Sequence, residues 1–242
     1  MHWFRAIWLG LGLVCGCGRV GFDPIGPIDA PSDAPAALAW VKVFGVSGQD
    51  SGTTDTITGH AEHAGDAIVV HAYCGAATMP TAVTLEASGW TFAQLNPIAG
   101  SPTPQDWAAG FGAIAPDTAT TTFTVTWTVA SCGFGLDTLS DELTNNDPTG
   151  GSTTFPAHAE AYGTGDCVTQ IPSGPPGDMI WAGCSAGVLG TGPGFSKGAD
   201  DGGGNWTEYR VTTGPVATIE PISFTNQPGH DFIVTAVTVH QR

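Results

Sequence analysis

Residues 120–129, TTTFTVTWTV, alternate without a break: Phe123, Val125, Trp127 and Val129 fall on one face of an extended chain, and Thr122, Thr124, Thr126 and Thr128 on the other. Successive side chains of a strand point to opposite faces, so this segment reads as an antiparallel strand with one side in a core and the other wet. A flat threonine row has the chemistry to hold ordered water or a glycan. It is also what a plain solvent face of good β-formers looks like.

The same grammar extends outward. From Leu38 onward helical periodicity is nearly absent, and short apolar or alternating segments such as AWVKVFGV, DTITG, AIVVHAYC, AVTLEA, DMIWAGCSA, WTEYRVT and FIVTAVTVH lie between Gly, Pro, Asn and Asp clusters. With 35 glycines and 18 prolines, this predicts an all-β fold, a two-sheet antiparallel β-sandwich over residues 39–242. A weak duplication runs through it. DTITGHAEHAGDAIVVHAYCGAA resembles DCVTQIPSGPPGDMIWAGCSAG, each passing from an Asp through a short strand and a Gly-Asp turn into an apolar strand; GWTFAQL echoes NWTEYRV at nearly the same offset. Pseudo-duplicated halves follow, building either one pseudo-symmetric sandwich or two packed ones, and the absence of a linker-like stretch between them favours one domain.

The N-terminus is of another kind. Arg5 precedes an apolar run, AIWLGLGLV, which is too short for an ordinary membrane span and suited to a signal-peptide core. Val14-Cys15-Gly16-Cys17 resembles the bacterial lipobox, so residues 1–16 are expected to be a lipoprotein signal peptide and Cys17 the lipidated first residue; Cys15 leaves with the signal. Residues 17–38 are rich in Pro, Asp and Ala and predict an extended tether. This opening is similar to that of myxobacterial surface lipoproteins. That resemblance implies anchoring to a membrane through the lipid. Gly18 in place of an Asp favours the outer membrane, at the cell surface.

The full chain has a formal charge of −16, and without residues 1–16 five basic residues face twenty-two acidic ones. Nucleic acid and anionic headgroups are excluded as partners of such a surface. Four cysteines fall in the predicted sandwich, which in an exported chain indicates two disulfides. Around the turn SGPPGD a symmetric hairpin would place Cys167 opposite Cys184, leaving Cys74 with Cys132; the duplication offers Cys74 with Cys184 as a rival pairing.

The Gly-Asp turn at Gly65-Asp66, the Gly-Trp and Asn-Trp strand starts and the closing strand FIVTAVTVH resemble bacterial extracellular jelly-roll domains of the concanavalin A-like lectin and glucanase type. The resemblance implies a jelly-roll, concanavalin A-like sandwich. The Glu-x-Asp-x-x-Glu strand of related glucanases is missing, and the adjacent Asp141 and Glu142 must point to opposite faces.

Other motifs offer chemistry. GCSAG (183–187) matches Gly-x-Ser-x-Gly, and His71 precedes Ser185 in the order of trypsin-like proteases, but the Gly-rich VLGTGPGFSKG that follows predicts no helix behind the serine. His60, Glu62 and His63 are spaced for a metal without an identifiable third partner beyond nearby His71. Asp200 and Asp201, and separately Asp50 and Asp55, lie in Gly-rich loops whose oxygens would suit calcium, although neither has EF-hand spacing. Trp90, Trp107 and Trp206 stand beside polar residues at strand starts, as sugar-stacking rings do, whereas Trp127 and Trp181 lie in apolar alternation and belong to the core. The functional expectation is a lipid-anchored envelope module that binds a glycan or another envelope partner. The alternatives are a hydrolase on the same scaffold, as a glycosidase or through Ser185, and a purely structural envelope lipoprotein.

Overall fold

In the computed structural model, residues 36–101, 103, 105–185, 187–216 and 218–242 are described; the expected signal peptide, Cys17 and the expected tether up to residue 35 lie outside them. The expectation of an antiparallel all-β sandwich holds, and the duplication decides its form. In the first half, β1 (Ala39–Gln49), β9 (Leu136–Thr144), β3 (Ala67–Gly75), β7 (Asp106–Ile114) and β5 (Phe92–Gln94) make one sheet in that order, with β6 (Ala99–Ser101) also on β7. Strands β2 (Thr54–Gly59), β8 (Thr121–Trp127) and β4 (Val83–Glu86) make a second sheet. After one helical turn, α1 (Gly151–Thr154), the second half repeats the plan. Its large sheet runs β10 (Ala157–Thr164), β17 (Asp231–Val239), β12 (Met179–Ser185), β15 (Trp206–Val211), β14 (Ser196–Asp200), and its small sheet β11 (Cys167–Pro172), β16 (Ile219–Asn226), β13 (Val188–Gly190).

Each half has its own core. Phe44, Ile57, Phe123, Val125 and Trp127 fill the first, and Ile171, Ile180, Ile222, Phe224 and Val234 the second. The large sheets then pack on each other, β3 against β12, β9 against β15, β7 against β17, with edges β1 on β14 and β6 on β10, a pairing that maps onto itself when the halves are exchanged. Four layers result. The outer strands therefore alternate, as β8 does, whereas β3, β7, β12 and β17 are buried along nearly their whole length because both their faces are covered.

The Gly-Asp turns that announced the duplication are equivalent in space. Gly65 and Gly177 both take positive φ, which glycine alone adopts without strain, and Asp66 and Asp178 behind them are buried, paired with His63 and His240 at 3.2 and 2.9 Å. The tryptophan echo is corrected: register sets Trp107 opposite Cys74 and Trp206 opposite Cys184, so the counterpart of Trp206 is Trp107, and Trp90 lies ahead of β5.

Both favoured disulfides form, Cys74–Cys132 and Cys167–Cys184, with Cα separations of 5.1 and 6.6 Å. The hairpin argument behind the second does not hold. β11 and β12 belong to different sheets, because the turn between them carries the chain across the core, so this bridge ties the two sheets of the second half together.

Candidate functional site

The structure brings His71 and Ser185 together. His71 on β3 reaches Ser185, the last residue of β12, at 2.9 Å from Nε2 to Oγ, and its Nδ1 lies 2.8 Å from Thr235 Oγ1 on β17. The spacing is that of a nucleophile and its base; the surroundings are not. His71, Ser185 and Thr235 have no accessible surface, so no substrate reaches them. Where a triad needs a carboxylate to hold an imidazolium, a threonine hydroxyl stands. Burial pushes the His71 imidazole down to about 3, so it stays neutral and is a poor proton acceptor for a hydroxyl. Strand β13 starts at Val188, so the chain runs on from Ser185 into another strand rather than an elbow helix. Burial and the missing carboxylate argue against Ser185 and His71 as a nucleophile and its base. The pair fastens the two halves together.

Asp141 and Glu142 diverge as their adjacency requires. Asp141, fully buried between the halves, accepts hydrogen bonds from Trp40 Nε1 (2.9 Å), Trp181 Nε1 (2.7 Å) and the Thr207 hydroxyl. Burial raises its carboxyl above the usual range, and those three bonds offset part of the rise. Glu142 points to the other face, where Oε1 accepts the Glu62 backbone N–H at 2.6 Å while Oε2 has no hydrogen-bond partner, and burial raises its carboxyl to about 7. Lys42 Nζ occupies the middle of the HAEH turn, 2.5 Å from Glu62 and 3.2 Å from His60 Nε2, and His71 faces the other half. Among the described residues no group of three or more His, Cys, Asp or Glu is placed to hold a metal ion.

The calcium reading of Asp200 and Asp201 does not fit either. Asp200 is neutralised by Lys197 at 2.5 Å, and Asp201 is spent inside its own loop on the backbone N–H groups of Gly203 (2.7 Å) and Asn205 (3.0 Å) and on the Asn205 amide. Of the three tryptophans expected to stack on sugar, Trp107 is buried, its Nε1 bonded to Ala76 O at 2.9 Å, and presents no face. Trp90 is half-buried in an aromatic cluster with Phe44, Phe92 and Phe123, and Trp206 is covered on one side by Lys197 Nζ, 3.4 Å from the ring centre. Trp127 and Trp181 are core residues, as expected.

A site assembles elsewhere, from segments that looked unrelated. A cleft of about 470 Å³ is lined by Gly48, Gln49 and Asp50 at the end of β1, by Phe134 and Asp137 at the start of β9, and by Asp201 and Asn205 between β14 and β15. Phe134 is 64 % exposed. Its backbone is nevertheless held: Phe134 N–H donates to Gly75 O and Gly75 N–H to Gly135 O, each at 2.9 Å, next to the Cys74–Cys132 bridge. Gly75 is required there, since a Cβ would lie 2.8 Å from Phe134 Cβ. Asp137 faces Gly48 across the β1–β9 pair, so its carboxylate opens into the cleft instead of packing against a side chain. Burial, then the nearby charges of Asp201 and Asp55, push Asp137 up to about 7, with a hydrogen bond to Asn205 working the other way. Asp55 is buried and satisfied by Ser47 (2.5 Å), Gln49 Nε2 (2.8 Å) and Thr138 (2.6 Å), which fixes the Gln49 amide at the rim. The rigid exposed ring can stack on an apolar sugar face, and the Asp50 and Asp137 carboxylates beside it can accept hydroxyl protons. Of these residues the sequence had marked Asp50 and Asp201, in separate loops. Phe134, Asp137 and Asn205 carried no pattern beyond the Gly-Phe-Gly flank beside Cys132. No family model matches the chain, and no curated protein or solved structure matches it.

Proposed function

We propose that this chain is a lipid-anchored module of the bacterial cell envelope that binds a glycan in the cleft between its two halves. The observation that carries the reading is the convergence of exposed Phe134 with Gln49, Asp50, Asp137, Asp201 and Asn205 from three separate segments. The carboxylates select against uronic and sulfated sugars, so the ligand is a neutral or amino-bearing glycan. The loop carrying the ring is already held by backbone hydrogen bonds and a disulfide, so little ordering cost opposes binding. The order β1-β9-β3-β7 facing β2-β8-β4 supports a jelly-roll, concanavalin A-like reading of each half. Two disulfides support export to an oxidising compartment, in keeping with the signal peptide and Cys17 lipidation read from the sequence.

A glycan array probed with the purified full-length chain tests the binding. Spots of neutral or amino sugars, lost with Phe134→Ala, are expected; silence across the array rejects the module in favour of a structural envelope role. Intact-mass analysis tests the anchor. Cys17→Ser should remove a diacylglycerol mass from the exported chain, and an unchanged mass refutes lipidation at that residue.

A further inference from the structure

The outer face of the small sheet of the first half is a threonine lattice. Thr54, Thr56 and Thr58 project from β2, Thr122, Thr124 and Thr126 from β8, and Thr84 from β4. Register puts them in rows across the strands, Thr54 beside Thr126 beside Thr84, Thr56 beside Thr124, Thr58 beside Thr122, the last pair with hydroxyls 2.9 Å apart. Alternate residues on a strand repeat at about 6.6–6.8 Å and neighbouring strands at about 4.8 Å, so the hydroxyls and methyls form a two-dimensional net. Neighbouring strands twist by about 20–25°, and with three strands that twist is limited to one step on either side of β8. Threonine is stiff at χ1, which fixes each hydroxyl and methyl relative to the backbone.

Exposure and β propensity do not by themselves require this. The equivalent outer face of the second half, with the same strand order, carries Val168, Gln170, Pro172, Leu189, Ile219, Pro221, Ser223 and Thr225. The threonines are therefore a property of one face and not of the fold.

We propose that this face binds a crystalline water surface, that is, ice. A net of one side-chain type matches a partner that is itself periodic in two dimensions, and its two repeats lie close to oxygen–oxygen repeats of hexagonal ice. The chemistry of the face selects among crystals. It holds no aromatic ring to stack on a crystalline polysaccharide, and Glu86 is its one charged side chain, in a chain of net charge −16, so it suits an uncharged lattice and not a mineral. Hydroxyls continue the hydrogen-bond network of ordered water while the methyls between them hold water in cages.

Ice recrystallisation and the shape of a single growing ice crystal are measured in the presence of the full-length chain. The expected result is inhibited recrystallisation and faceted growth relative to an unrelated acidic protein. Thr124→Tyr, at the centre of the net, should raise the concentration needed by about tenfold or more, while Ser223→Tyr on the second half's outer face leaves it unchanged. Both sites face solvent, so circular dichroism spectra should match the parent. Thr124→Ser, the smallest change, should weaken inhibition in the same direction through loss of the fixed rotamer. The proposal is overturned by a parent chain that acts no differently from the control protein, by a Thr124→Tyr variant as active as the parent, or by sedimentation of the parent with crystalline cellulose or chitin while ice growth is unaffected.

Discussion

Gly183→Ala tests how the two halves meet. Counted from the Gly-Asp turns, His71 and Gly183 are both the fifth residue after their aspartates, and in the four-layer packing they meet face to face. The exchange symmetry of the halves brings this one position against itself, leaving room for a single side chain; His71 occupies it and Gly183 yields it. A Cβ on residue 183 would lie 2.5 Å from His71 Cβ and 2.6 Å from Cγ, atoms close to the backbone that cannot swing away. Overpacking of this kind costs about 1–3 kcal/mol, and displacing the imidazole from Ser185 and Thr235 leaves two buried hydroxyls short of a partner, about 1 kcal/mol each. A total of about 3–5 kcal/mol corresponds to a melting temperature lowered by roughly 6–20 °C for a domain of this size. Urea unfolding of Gly183→Ala, His71→Ala and the double variant supplies the assay. The double variant should be more stable than the sum of the single effects implies by about 1 kcal/mol or more, since removing the His71 imidazole makes room for the methyl group that Gly183→Ala adds. A Gly183→Ala protein within about 0.5 kcal/mol of the parent refutes the close approach of β3 and β12.

Between about pH 4.5 and 8 the buried carboxyls should lower stability as pH rises, outweighing the opposite contribution of His71 below about pH 6.5, where the unfolded imidazole holds a proton that the buried one lacks. Burial raises the Glu142, Glu208 and Asp137 carboxyls to about 7, so the folded chain holds protons that the unfolded chain releases, and ionising them costs folding energy. For Glu208, which is fully buried, the loss is on the order of 3 kcal/mol; urea midpoints that rise over this range contradict it. Peptide mapping without reductant should recover Cys74–Cys132 and Cys167–Cys184, and replacing Cys167 and Cys184 together by Ser should cost about 3 kcal/mol, as expected for a short loop; a Cys74–Cys184 peptide contradicts the fold. Ser185→Ala should leave any ester hydrolysis by the chain unchanged and lower stability by about 1–2 kcal/mol, whereas abolished turnover would restore the nucleophile.

The segments that were legible in the sequence are those with one wet face. TTTFTVTWTV announced its geometry because β8 is an outer strand. AIVVHAYC and FIVTAVTV lack alternation because they lie between two cores, and their unbroken apolar runs are the sequence mark of a strand covered on both sides. Strand β10, AHAEAYGT, has little β propensity and exists because it pairs along its whole length with β17, so tertiary pairing overrode composition. The cysteine pairs followed from an even count in an exported chain, but the turn SGPPGD concealed a change of sheet. His71 and Ser185 were singled out for their types and order; burial, which order does not encode, decides that they fasten rather than react. The cleft was least legible. Asp50 and Asp201 are brought together by the packing of two halves, and nothing local marks Phe134 as exposed, since its place is set by contacts with Gly75.

The central question is whether the cleft, and not a tryptophan, holds the ligand. Titration calorimetry of the strongest glycan from the array against Phe134→Ala and Trp206→Ala measures this directly. Affinity should fall by about 1–3 kcal/mol in the first variant and stay within about 0.5 kcal/mol of the parent in the second. Binding lost in Trp206→Ala and kept in Phe134→Ala would contradict the assignment.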